Sequence, residues 1–246
     1  MRRIGLLGGM SWESTAVYYR LINEAVRERL GGLASADIVM RSLDFQAVVD
    51  LQKAGRWDAA ADTLSQAACD LQQAGADCLL ICTNTMHLVA PQVLTACRLP
   101  LIHIIDETSQ ALLKANCHRP LLLATRYTME HGFYAERMAR HGLDVVVPEA
   151  RDRALCHSII FDELCQGIVT PGGRQALYDM ALRGRDAGAD SVILGCTELG
   201  LSIAPGDLPL PGFDSTHIHA QAAVDFAFRG VTPVERTADL MAGAYI

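Results

Sequence analysis

The chain has 246 residues, half of them apolar and a fifth charged, with a formal net charge of -7. That composition excludes a disordered chain, and the lack of any Lys/Arg run excludes a nucleic-acid partner. No apolar stretch approaches the ~20 residues that cross a bilayer, so no membrane partner is expected; MRRIGLLGGMSWES reads as a cytoplasmic start rather than a leader, because its apolar run is short and Glu13 follows.

Short apolar runs then alternate with longer amphipathic ones. IGLLGG (4–9) predicts a strand ending in a glycine turn, and 11–30 carries a helical pattern. ADIVMRSLD (36–44) is strand-like, a helix lies near 56–73, and DCLLICT (77–83) is the next strand. PQVLTAC is a helix opened by Pro91. LPLIHII (99–105) is a further strand, with a helix running to about Asn116. The pattern restarts with the strand RPLLLAT (119–125), the helix TMEHGFYAERMARHG closed by Gly142, and the strand LDVVVP. Helices near 152–166 and over 172–188, the strand DSVILGCT (190–197) and a last helix HIHAQAAVDFAFRG complete the series.

Continuous apolar strands separated by helices predict parallel sheets covered on both faces. The restart is an internal repeat. AGAD at 74–77 recurs at 187–190, and this offset of 113 sets Cys82 against Gly195 and Thr83 against Cys196. The expected fold is therefore α/β, with two pseudo-symmetric Rossmann-like domains around an interdomain cleft. Residues 1–99 with 210–230 form the first, residues 100–209 the second, and 231–246 a weakly patterned tail.

Open parallel sheets bind ligands beyond the carboxyl ends of their strands. Four such ends are GGMS (8–11), CTNT (82–85), ATRYT (124–128) and GCTE (195–198). Adjacent strand residues face opposite ways, so Thr83, matched to Cys196, is expected to face the cleft while Cys82 packs in the core. Cys196 is the candidate acid/base. A helix start would lower its pKa and the neighbouring Glu198 would raise it, a balance the sequence leaves open. A Thr hydroxyl needs an activating neighbour, for which His87 and water are candidates. Ser11, Asn84, Thr85, Thr125, Thr128 and Thr197 are neutral donors suited to the carboxylate of a small acid. Tyr127 is open between packing and contact. Arg41 and Arg126 are the nearest arginines to the strand ends for a distal carboxylate.

No cofactor or metal is expected. GLLGGMS lacks the dinucleotide and P-loop spacings, and Lys53 and Lys114, the two lysines, lie away from the strand ends where a Schiff base would be needed. Asp214-Ser215-Thr216, before His217 and His219, reads as a helix cap rather than a metal cluster. The eight cysteines contain no C-x-x-C and read as reduced thiols.

GLLGGMSWEST (5–15), CTNTMH (82–87), LLATRYTM (122–129), GCTELG (195–200) and FDSTHIHA (213–220) together resemble the PLP-independent aspartate/glutamate racemases, over about residues 4–228. The resemblance implies two similar α/β domains, a cofactor-free site between them, a homodimer, and an amino-acid substrate, aspartate or glutamate foremost. It implies two acid/base groups working on opposite faces of Cα, which map onto Cys196 and position 83. The family normally has Cys at the latter; this chain has Thr83. It further implies substrate contacts at Met10, Ser11, Asn84, Thr85, Thr125, Thr128, Thr197 and Glu198. Two other activities suit the same scaffold: decarboxylation or cis-trans isomerisation of small diacids, which one thiol can serve, and carboxylate binding without turnover.

Overall fold

The computed structural model describes residues 1–230; the expected tail, 231–246, lies outside the described residues. The strands are β1 (Ile4–Gly8), β2 (Ile38–Ser42), β3 (Cys78–Ile81), β4 (Pro120–Leu123), β5 (Ser191–Leu194) and β6 (Gly212–Asp214). The helices of the first half are α1 (Trp12–Leu30), α2 (Phe45–Lys53), α3 (Trp57–Gln73) and α4 (Ala90–Ala96). Those that follow are α5 (Ile104–Lys114), α6 (Arg126–Glu130), α7 (Phe133–Ala139), α8 (Ala150–Ser158), α9 (Pro171–Asp186), α10 (Leu199–Ser202) and α11 (Ser215–Phe228).

Two parallel sheets form, ordered β2-β1-β3 and β4-β5-β6. Single bridges extend each: Leu79 to Leu101 beyond β3, and Leu121 to Val146 beside β4. With those bridges both halves have the same strand order, second-first-third-fourth. The AGAD repeat leads into β3 in one half and β5 in the other, and Cys78–Ile81 superposes in sequence on Ser191–Leu194 at the expected offset. The two-sheet α/β architecture expected from the apolar runs is thus present. The last bridge of the first sheet is at Leu101, and the second sheet ends at Asp214. α11 then returns to pack on α1 and α5.

A second repeat of function runs through the sheet bottoms. Asp77 accepts from Arg3 N (2.6 Å) and Asp190 from Arg119 N (2.8 Å). The guanidinium of Arg3 bonds Asp37 and Ala74 O, and that of Arg119 bonds Asp144 and Ala187 O. The aspartate of AGAD therefore ties the start of β1 or β4 to its neighbouring strand in each half.

The cores are apolar. Strands β1, β3, β4 and β5 are fully buried along their length, and each Leu or Ile so buried contributes about 1.5–3 kcal/mol. Cys82 sits fully buried among Tyr18, Ile22 and Leu80, as packing predicts. Four local expectations change. The helix read over 128–142 is broken into α6 and α7 by Gly132, at φ 79°. The runs 99–105 and 143–148 supply one bridge each, and α5 already starts at Ile104 because the His103 side chain caps Ile105 N. α8 leaves the α-helical path at Ile159 for a wide π turn, Ile159–Glu163. α2 and the three-residue β6 carry no expectation at all.

Candidate active site

The carboxyl ends of β1, β3, β4 and β5 converge on one small cleft between the halves, with about 30 Å³ of room. At the end of β1 the chain turns through Gly9, whose φ is 82° and where a Cβ would stand 2.2 Å from Leu43 O. Only glycine fits there. The turn puts Met10 on the cleft wall and Ser11 at the N-cap of α1, accepting from Ser14 N.

Thr83 and Cys196 both line the cleft, from equivalent positions after β3 and β5. Cys196 Sγ donates to Glu198 Oε2 at 2.9 Å, and Thr197 Oγ1 donates to the same oxygen at 3.0 Å. The other carboxylate oxygen, Oε1, accepts from Ser11 Oγ (2.8 Å) and Ser14 Oγ (2.7 Å), which reach across from the first half. The Ser14 and Thr197 hydroxyls also lie against each other, so one of them can give its proton to the other instead of to Glu198. Burial, then the charge of Glu198 and the neighbouring Cys165, push the Cys196 thiol well above its ordinary pKa. The balance left open by the sequence falls on the raised side. Cys165 is raised too, by burial first and Glu198 second. Two thiols therefore flank one buried carboxylate.

Thr83 is differently placed. Among the described residues its hydroxyl has no hydrogen-bond partner. His87, the expected activator, is directed elsewhere: its Nδ1–H donates to the Thr83 backbone carbonyl (2.8 Å), and its Nε2 accepts from Ile104 N (3.4 Å). His87 is fully buried beside His103 and His219, with ring centroids 4.6 and 5.8 Å away. Both of its ring nitrogens are thus engaged by the backbone.

The donors beyond β3 and β4 form a ring. Thr85 Oγ1 lies 3.0 Å from both Thr125 Oγ1 and Thr128 Oγ1, and those two are 3.1 Å apart. Thr85 belongs to the first half and the other two to the second, so the ring crosses the seam. Thr125 and Thr85 line the cleft; Thr128 stands behind them. Asn84 Nδ2 donates to Ser215 Oγ (3.1 Å), whose own proton goes to Leu194 O (2.9 Å). That chain fixes the amide, leaving Asn84 Oδ1 buried without a partner among the described residues.

Neither proposed arginine lines the cleft. Arg41 bonds Asp70 (3.3 Å) and Ser42 O, and Arg126 is exposed. Tyr127 packs on Trp57 and His157 at 5.8 Å, outside the lining. Asp214 caps α11, accepting from Thr216 N and His217 N, as read. Among the described residues no cluster of His, Cys, Asp and Glu could hold a metal, and no helix is long and apolar enough to cross a membrane. Sequence reasoning missed Ser14, Phe45, Gln52, Ile160, Phe161 and Cys165. Ser14 alone carried a signal, three residues beyond the cap Ser11.

A family model of Asp/Glu/Hydantoin racemases matches residues 7–223. The chain is 45% identical to a Yersinia pestis protein proposed to be an Asp/Glu racemase, whose crystal structure superposes with a TM-score of 0.86 over 93% of this chain and 100% of that one. It is 33% identical to an aspartate racemase homologue from Pyrococcus horikoshii (TM-score 0.81, 92% of this chain and 99% of that one). It is 23% identical to the broad specificity amino-acid racemase RacX of Bacillus subtilis, over 90% of this chain and 96% of that one.

Proposed function

We propose, from the premise that the chain belongs to the Asp/Glu/Hydantoin racemase family, that it is a cofactor-independent amino-acid racemase with Cys196 and Thr83 as its acid/base pair. The observation that carries this reading is their equivalence: two strand ends related by an internal repeat present a thiol and a hydroxyl to one cleft. Racemisation needs a proton removed from one face of Cα and returned to the other, and pseudo-symmetric halves supply one group per face.

The resting thiol is protonated, given its raised pKa. It has a ready acceptor in Glu198 Oε2, which takes the thiol proton so that the sulfur can abstract the α-proton as a thiolate. The threonine ring and nearby amides hold the substrate carboxylate. Asn84 takes the ammonium rather than the carboxylate, since its free atom is the acceptor Oδ1. Thr83 lacks a base at its hydroxyl, so it serves better as a proton donor than as an acceptor, its alkoxide regaining a proton from solvent water. Exchange is therefore fast from the enantiomer whose α-hydrogen faces Cys196 and slow from the other, while the equilibrium stays near unity. The two lysines stand outside the cleft lining, which supports chemistry without a PLP Schiff base.

The eight free cysteines fit a reducing, cytoplasmic setting. The exposed apolar groups Trp12, Tyr19 and Met40, gathered on α1 and β2, favour pairing of two copies; light scattering that finds only monomer ends that part. For the activity, chiral chromatography after incubation of single amino-acid enantiomers is decisive. Inversion of configuration supports racemisation; release of carbon dioxide, alkene isomerisation, or binding without any product each replaces it.

A further inference from the structure

We infer that the racemised amino acid carries an uncharged side chain, and that Gln52 selects it. The inference rests on the racemase reading above and names the substrate class of the same site.

Of the groups lining the cleft among the described residues, Glu198 alone is charged. Its oxygens already accept from Ser11, Ser14, Cys196 and Thr197, and it stands beside the reacting sulfur. The hydroxyl ring and Asn84 account for the α-carboxylate and ammonium. What remains for a side chain is the wall formed by α2 and the π turn: Phe45, Gln52, Ile160 and Phe161. Phe45 and Phe161 stack at 6.5 Å across the seam, and Ile160 is fully buried.

A second carboxylate placed there would meet no arginine, lysine or histidine among the described lining residues and would share the cleft with the charge of Glu198. An unpaired buried carboxylate is strongly disfavoured. A cationic side chain finds no anion on the wall, and Glu198, the carboxylate of the cleft, is already taken by four donors. Gln52 is the wall's one polar side chain. It is buried, and its Nε2 is directed at Met86 Sδ, 3.1 Å away. A thioether is a weak acceptor, so the amide gains when a neutral polar group of the substrate replaces it. A carboxylate gains one donor from Gln52 but no countercharge.

The test uses two pairs matched in size and differing in charge: L-glutamine with L-glutamate, and L-asparagine with L-aspartate. α-Hydrogen exchange in deuterated water, followed by NMR, gives kcat/KM for each. The expected result is that each amide exceeds its acid at least tenfold, and that Gln52→Lys shifts the ratio at least tenfold toward the acid. An acid that equals or exceeds its amide in the unaltered chain overturns the inference. If no amino acid exchanges its α-hydrogen, the racemase reading falls, and calorimetric titration of the same pairs judges the side-chain wall by itself. Tighter binding of the amide upholds an uncharged ligand. Tighter binding of the acid, or no binding of either, overturns it.

Discussion

The Cys196 thiol and the Glu198 carboxylate are joined by a hydrogen bond of 2.9 Å in which sulfur is the donor. Burial first, and this carboxylate second, hold the thiol's pKa high. Glu198→Gln should therefore raise the thiol's reactivity toward alkylation while lowering turnover. The thiol should titrate at lower pH, because a negative neighbour is gone, while turnover falls roughly 10²–10⁴-fold for want of a proton acceptor. The pH dependence of Cys196 alkylation, read by mass spectrometry, measures the first, and α-hydrogen exchange the second. A parallel rise in both would remove Glu198 from the mechanism.

Thr83 and Cys196 should separate exchange from inversion. In Thr83→Val, Cys196 can still remove and return a proton on its own face. One enantiomer should then incorporate deuterium with retention while inversion drops about 100-fold or more. Thr83→Cys should raise inversion and even out the two enantiomers. Cys196→Ser should abolish exchange from the thiol's face. Substantial exchange in Cys196→Ser would mean that another group is the base.

Thr85→Val removes the member of the hydroxyl ring that comes from the first half. Each lost buried hydrogen bond costs about 1 kcal/mol of stability. The larger effect should be on KM, raised about tenfold, because the carboxylate keeps donors on one side of the seam only. Urea unfolding and steady-state exchange rates check the two.

Acid should loosen the fold through its buried histidines. Burial first of all depresses His103 to about 3 and His219 to about 4, against an unfolded value of about 6.5. Each bonds as a neutral ring: His219 Nε2–H donates to Ile102 O while Nδ1 accepts from Tyr18 Oη. The unfolded chain binds more protons between those limits. Their contribution is therefore complete above pH ~6.5 and declines as pH falls, by up to about 1.4 kcal/mol per pH unit for each histidine, levelling off below the folded values. His103→Asn keeps a capping acceptor for Ile105 N and should flatten the profile between pH 7 and 4, roughly, measured by urea unfolding. An unchanged slope would absolve His103.

The sheets and the pairing of Thr83 with Cys196 were legible because buried parallel strands are written as unbroken apolar runs and because AGAD recurs. Asn84, Thr85, Thr125 and Thr197 followed, since strand ends point at the cleft. The wall of the cleft did not follow. Phe45 and Gln52 ride a nine-residue helix squeezed between β2 and α3, too short for periodicity to stand out. Ile160 and Phe161 lie in a π turn, where the 3.6-residue spacing fails. The surroundings of His87 were not legible, because sequence gives its distance along the chain from Thr83 but not which atom of Thr83 it meets. Nor was the partner of Arg41, Asp70, which lies on a helix distant in sequence.

Phe45 of the first half stacks on Phe161 of the second at the wall of the cleft. A substrate entering past this wall should part the two rings. Racemisation at this site should then include an opening and a closing as well as its proton transfers. The pace of the catalyst should respond to the thickness of the solvent around it, to which a proton hop within the shut cleft is indifferent.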